Sequence, residues 1–123
     1  VIEAAVAAMS PKPDGIYAWL GPAIGPGAFE VGPEVRAEFC ARAAHAEEAF
    51  AAVSRGRWLA DLYQLARQRL SAIGVHRVSG GEHCTYADSN RFFSYRRDGR
   101  TGRMASLIWI NPATTEQRAG AER

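Results

Sequence analysis

Apolar residues along this 123-residue chain follow two rhythms, a helical one and a short, run-like one. Ile2, Val6 and Met9 recur at helical spacing with alanine between them, and predict a helix over 1–10. Pro11-Lys12-Pro13-Asp14-Gly15 stops it, because proline cannot continue a helix and Asp-Gly favours a turn. Ile16 to Leu20 is a short apolar run bounded by glycine, the pattern of a buried strand. Gly21 to Gly27 holds three glycines and two prolines, so this loop is either stiff or closely approached by something. A second short strand is expected over 28–31.

Gly32-Pro33 opens the next helix, with proline at its favoured first position. Val35, Phe39, Ala43, Ala46, Phe50 and Val53 form one stripe, and Glu34 and Glu38 suit the positive helix end. The stripe carries only alanine near Arg42 to His45, so a break is expected there. Ser54-Arg55-Gly56 turns the chain. The longest predicted helix covers 57–73, with Leu59, Leu62, Ala66, Leu70 and Ile73 on its buried face and Gly74 as a left-handed cap. Val75 to Val78 reads as a strand and Ser79-Gly80-Gly81 as a turn.

Phe92 to Ile110 then joins three features. Aromatic residues come first, followed by a glycine-punctuated loop with Arg96, Arg97, Arg100 and Arg103, then the apolar run Met104 to Ile110. That run is short and ends at Asn111-Pro112, which predicts a buried strand. Residues 111–123 carry no apolar pattern and read as a disordered tail behind one domain over 1–110. Helices alternating with strands give an α/β or α+β class. The strands are few and short, so several need partners.

A formal net charge of +2 is too small to argue for nucleic acid or an anionic membrane. Lys12 is the only lysine, so the positive charge is almost all arginine, whose planar fork suits carboxylates and phosphates. Two cysteines, Cys40 and Cys84, make no disulfide framework, and no run is long enough to cross a membrane. A cytoplasmic setting follows as the default expectation. The chain begins at Val1 inside a helical pattern, which is expected of a piece of a longer protein.

Four stretches are candidates for chemistry. His83-Cys84 offers a thiol beside an imidazole, with His45 and His76 able to approach; the competing reading is a buried structural thiol. No C-x-x-C or H-x-x-x-H spacing marks a zinc site. Gly21–Gly27 is not a nucleotide-binding fingerprint, and Asp61 reads as a solvated or helix-pairing acid. Tyr95, Arg96, Arg97 and Arg103 offer bidentate contacts to an anion; if extended, Arg96 and Arg97 face opposite sides. The competing reading of that loop is a solvated hairpin turn.

Six motifs then fall in a familiar order. They are Ala18-Trp19-Leu20-Gly21-Pro22-Ala23-Ile24-Gly25-Pro26, Phe29-Glu30-Val31-Gly32, and Leu59-Ala60-Asp61-Leu62-Tyr63-Gln64-Leu65-Ala66-Arg67. Cys84-Thr85-Tyr86, Phe92-Phe93-Ser94-Tyr95-Arg96-Arg97-Asp98 and Thr101-Gly102-Arg103-Met104-Ala105-Ser106 follow. From Val1 to Ile110 the chain resembles the C-terminal half of the bacterial laccase-domain family. Its members have been described as polyphenol oxidases, purine nucleoside phosphorylases with adenosine deaminase activity, and peptidoglycan editing factors.

The resemblance implies part of a four-layer α/β/β/α sandwich with mixed sheets. It implies zinc, with copper as the alternative, held by two histidines and one cysteine. The family's ligand segments, Val-His-Gly, Ala-Asp-Cys and His-x-Gly-Trp-Arg-Gly, do not occur here, so no catalytic or metal-binding residue is assigned. The expected function is the C-terminal part of a metal-dependent purine nucleoside phosphorylase or adenosine deaminase, inactive by itself. An amidase-type peptidoglycan-precursor editing factor and a non-catalytic truncated domain are the alternatives. The expected partners are a purine nucleoside, phosphate and the N-terminal half of the same domain. Tyr95, Arg96 and Arg103 are the expected substrate-binding residues.

Overall fold

A computed structural model describes residues 1–112. In chain order the elements are α1 (Ile2–Ala7), β1 (Tyr17–Leu20), β2 (Glu30–Val31), α2 (Pro33–Arg42), β3 (Phe50–Ala52), β4 (Trp58–Ala60), α3 (Leu62–Ala72), β5 (Arg77–Gly80) and α4 (Tyr95–Asp98). Short 3-10 segments cover Pro13–Gly15, Ala44–Ala49 and Ser54–Gly56. The class is mixed α/β, with one parallel and one antiparallel sheet. No helix among the described residues is long and apolar enough to cross a membrane.

In the parallel sheet β1 pairs with β5, from Tyr17 opposite Arg77 to Leu20 opposite Gly80. The two chains keep their parallel course beyond the strands, through a bridge between Ala23 and Cys84. Order in the antiparallel sheet is β2-β4-β3, with Leu59 opposite both Glu30 and Ala51.

α3 divides two apolar clusters. Leu65 belongs to the first, with Val31, Ala46, Ala49, Phe50 and Ala60. Leu70 belongs to the second, with Ile16 and the fully buried Val75, and Ile2 and Val6 of α1 pack on it. Each buried leucine side chain contributes roughly 1.5–3 kcal/mol relative to exposure. An ion pair from Arg69 to Glu3 fastens α1 to α3.

Three expectations change. Residues 57–60 do not begin the long helix, because Trp58-Leu59-Ala60 find backbone partners on both sides as β4. Asp61 is the N-cap of α3 and accepts from the Gln64 amide at 3.0 Å, which fixes where the helix starts. It is neither a solvated acid nor a helix-pairing one. The second helix breaks after Arg42, where the stripe thins to alanine, and Phe50–Ala52 is a strand. Phe50 is still buried and its ring lies 6.1 Å from that of Phe39, so the stripe identified the buried side chains and missed the backbone form.

Met104 to Ile110 is not a buried strand. Leu107, Ile108, Trp109 and Ile110 are 79%, 81%, 73% and 96% exposed. No strand of the described residues pairs with this segment. The tail expected over 111–123 lies, from residue 113 on, outside the described residues.

Candidate functional site

Beyond β5 the chain runs beside the glycine loop at the Ala23–Cys84 bridge, and one side chain ties the loop after Cys84 together. Ser94 is buried and caps α4 by accepting from the Arg97 amide at 3.2 Å. The short helix turns Arg97 inward. Its Nη1 donates to the carbonyls of Thr85 at 2.9 Å and Tyr86 at 3.0 Å, and its Nη2 to that of Phe92 at 3.0 Å. Asp98 pairs with the same guanidinium. Arg97 therefore satisfies three loop carbonyls at once, a role suited to a rigid fork with five donors.

Its neighbour Arg96 leaves on another side. The guanidinium lies 5.2 Å from the Phe29 ring centre and donates to the Glu30 carbonyl at 3.1 Å. Tyr95 and Arg103 are brought together instead. They line one cavity of about 440 Å³ with Phe93, Arg100 and Met104. Among the described residues, no ion pair engages Arg100 or Arg103. A Cβ on Gly102 would stand 2.7 Å from the Phe93 ring, so glycine lets the arginine loop close against that ring. The cavity combines aromatic faces with two uncommitted guanidinium groups, the chemistry of a site for a planar or oxyanionic ligand. Of the three residues expected to bind substrate, Tyr95 and Arg103 share this cavity and Arg96 is held on Phe29.

A second cavity, of about 670 Å³, lies between the glycine loop and the Cys84 turn, with Glu30, Leu59 and Tyr86 on its walls. The Cys84 thiol accepts from the amides of Gly25 at 3.1 Å and Ala87 at 3.4 Å. Burial pushes this thiol up, but the amides of Ala87, Gly25 and Tyr86 together hold it below its ordinary value. The glycine loop is thus closely approached, and the visitor is Cys84. Tyr63 braces the same place: its hydroxyl accepts from the Ala23 amide at 2.8 Å and donates to the His83 carbonyl at 2.6 Å.

His83 and Cys84 do not form a thiol–imidazole pair. The His83 ring lies tilted against Phe92, with centroids 5.4 Å apart, and its Nδ1 lies 3.3 Å from the Arg91 guanidinium, while the Cys84 sulfur is held by backbone amides. Cys40 packs against the first apolar cluster. Among the described residues, no three His, Cys, Asp or Glu side chains come together as metal ligands would. The implied two-histidine, one-cysteine set does not fit these residues, and no chemical step is derived through a metal.

The anchoring roles of Arg97 and Tyr63 were missed in the sequence. Tyr63 stands next to Leu62 of the predicted apolar stripe, and a tyrosine buried there needs a partner for its hydroxyl, which was the available signal. For Arg97 there was none, since adjacent arginines look alike until a short helix separates them.

Over residues 1–111 the chain matches the family described as multi-copper polyphenol oxidoreductase laccase, and it belongs to that family. It is 56% identical over 111 residues to the purine nucleoside phosphorylase YfiH of Escherichia coli K12, covering 89% of this chain and 45% of that protein. A Pseudomonas aeruginosa protein, purine nucleoside phosphorylase PA4543, is 54% identical, with 89% and 46% covered. The crystal structure of Neisseria meningitidis protein NMB0706 superposes with a TM-score of 0.88 at 50% identity, over 90% of this chain and 46% of that one. The chain spans about half the length of the curated relatives it matches.

Proposed function

We propose that this chain forms one wall of a purine-nucleoside-processing site, and that the reaction is phosphorolysis. In that reaction a phosphate oxygen attacks C1′ of the nucleoside. The bond from C1′ to the base nitrogen breaks, and the purine leaves with the electron pair and takes up a proton. Arg103, with Arg100 beside it, receives the phosphate oxyanion through charge-assisted hydrogen bonds. Tyr95 and Phe93 offer aromatic faces to the planar base. Arg96 acts at one remove, by holding Phe29 and the Glu30 carbonyl.

One observation carries this reading. Tyr95, Arg100 and Arg103 converge on a single cavity with Phe93, in a chain whose relatives bear the name purine nucleoside phosphorylase. A metal and any adenosine deamination would belong to the part of the relatives' length that this chain does not match.

The test is a titration of the 123-residue chain with inorganic phosphate, followed by amide NMR. Shifts confined to residues 99–104, and lost in Arg103→Ala, are expected. Shifts scattered over the surface, or unchanged in Arg103→Ala, overturn the assignment.

A further inference from the structure

The fold treats the arginines of residues 96–103 as two pairs. Arg97 is committed to loop carbonyls and to Asp98, and Arg96 to the Phe29 ring and the Glu30 carbonyl. Arg100 and Arg103 are exposed and line one cavity, and among the described residues neither makes an ion pair. No carboxylate of the described residues lines that cavity. Two guanidinium groups therefore share one space without a counter-charge.

The aromatic side of the cavity is equally uncommitted. Tyr95 is 78% exposed and Phe93 52% exposed. Among the described residues, neither ring belongs to an aromatic pair or lies under a guanidinium. Gly102 sets the arginine loop directly against the Phe93 ring, so the cationic and aromatic halves adjoin. Any nucleobase has a planar face that stacks on such rings. A phosphomonoester offers three acceptor oxygens and about two negative charges at neutral pH, which suits two forks better than one.

We propose that this cavity binds nucleoside 5′-monophosphates, with the base on Tyr95 and Phe93 and the phosphate on Arg100 and Arg103, and that such a nucleotide competes with inorganic phosphate. The inference rests on the reading of this cavity as the phosphate site and adds a regulatory ligand to it. Phosphorolysis brings base and phosphate as two molecules, whereas a nucleotide carries both on one sugar. Once one end is bound, the other is held at high effective concentration, so the nucleotide gains over either fragment. Its phosphate is attached at C5′ and fills the place of the phosphate that attacks C1′. Excess nucleotide thus slows nucleoside cleavage.

The experiment titrates the 123-residue chain separately with adenosine 5′-monophosphate, adenosine, ribose 5-phosphate and inorganic phosphate, followed by amide NMR. The monophosphate should bind roughly tenfold more tightly than any of the other three, the scale of one base stack or one charged hydrogen bond. It should shift amides 93–95 as well as 99–104. Tyr95→Ala should weaken the monophosphate about tenfold and leave phosphate unchanged, and Tyr95→Phe, which keeps the ring, should bind like the native chain. Tyr95 is exposed, so neither change removes a core side chain. Arg103→Ala should weaken both ligands. A monophosphate that binds no more tightly than ribose 5-phosphate or phosphate, or that ignores Tyr95→Ala, overturns the proposal. If phosphate still responds to Arg103→Ala, that result leaves the phosphorolysis reading in place. Phosphate shifts that ignore Arg103→Ala, beside a monophosphate response that needs both Tyr95 and Arg103, would support the nucleotide site and overturn the phosphorolysis reading instead.

Discussion

The amide of Gly25 donates to the Cys84 thiol at 3.1 Å, and a Cβ on Gly25 would stand 3.0 Å from the Cys84 Cβ. The two residues fix each other: the glycine admits the cysteine, and the cysteine satisfies the glycine amide. Replacing Gly25 by alanine forces one of them to move. The expected cost is about 1–3 kcal/mol, in the range of overpacking. Thermal unfolding measures it, and Gly27→Ala is the control, since nothing lies within 4 Å of a Cβ there.

The same thiol makes a pH prediction. Burial raises it, and three amides more than offset this, so its folded value lies below the ordinary one. The unfolded chain then binds more protons, and stability rises with pH as the folded thiol ionises, reaching its full value above the ordinary thiol pKa. It is lost as pH falls through the folded value. Urea unfolding across that range should show a rise for the native chain and none for Cys84→Ala. Alkylation by iodoacetamide should likewise occur at lower pH at Cys84 than in the unfolded chain.

A second pH effect has an acid window. The Glu3 backbone amide and the Arg69 guanidinium hold the Glu3 carboxyl below its usual value. The pair therefore contributes above the ordinary carboxylate pKa and fades as pH falls through the folded value. The loss should appear first in α1. Hydrogen exchange on acidification should open residues 2–7 before α3, and Glu3→Gln should remove the difference.

Arg97 anchors the loop that carries the arginine cavity. Lysine keeps the charge but cannot reach three carbonyls with a fixed fork, so Arg97→Lys should cost about 1.5–3 kcal/mol, on the scale of one lost charged hydrogen bond. Amides 84–93 should exchange faster in the variant. A similar loss in Arg96→Lys would contradict the distinction drawn between the neighbours.

Much of this organisation was visible in the chain, for definite reasons. The break after Arg42 followed from an apolar stripe reduced to alanine, and Leu70, on the predicted face of the long helix, is buried, whereas Tyr63 and Leu65, also buried, were not on that stripe. Asp61 was harder. Its capping role depends on Trp58–Ala60 being a strand, and that strand exists only because β2 and β3 arrive from elsewhere in the sequence. Met104–Ile110 failed differently: a core-like composition says that a segment wants a partner, not that the described chain supplies one. In the site, Tyr95 and Arg103 were legible as aromatic and cationic residues near a glycine turn. The separation of Arg96 from them was not, because it depends on a four-residue helix capped by Ser94.

The central claim is that Arg103 meets phosphate in a nucleoside-cleaving site. The most direct measurement uses a chimaera of the E. coli relative in which this chain replaces the matching part. Phosphorolysis of inosine is followed as phosphate is varied, with Arg103 and with Arg103→Ala. Loss of a charged hydrogen bond of about 1.5–3 kcal/mol predicts a KM for phosphate raised roughly tenfold to a hundredfold, with little change in KM for inosine. An unchanged phosphate KM in an active chimaera would contradict the account.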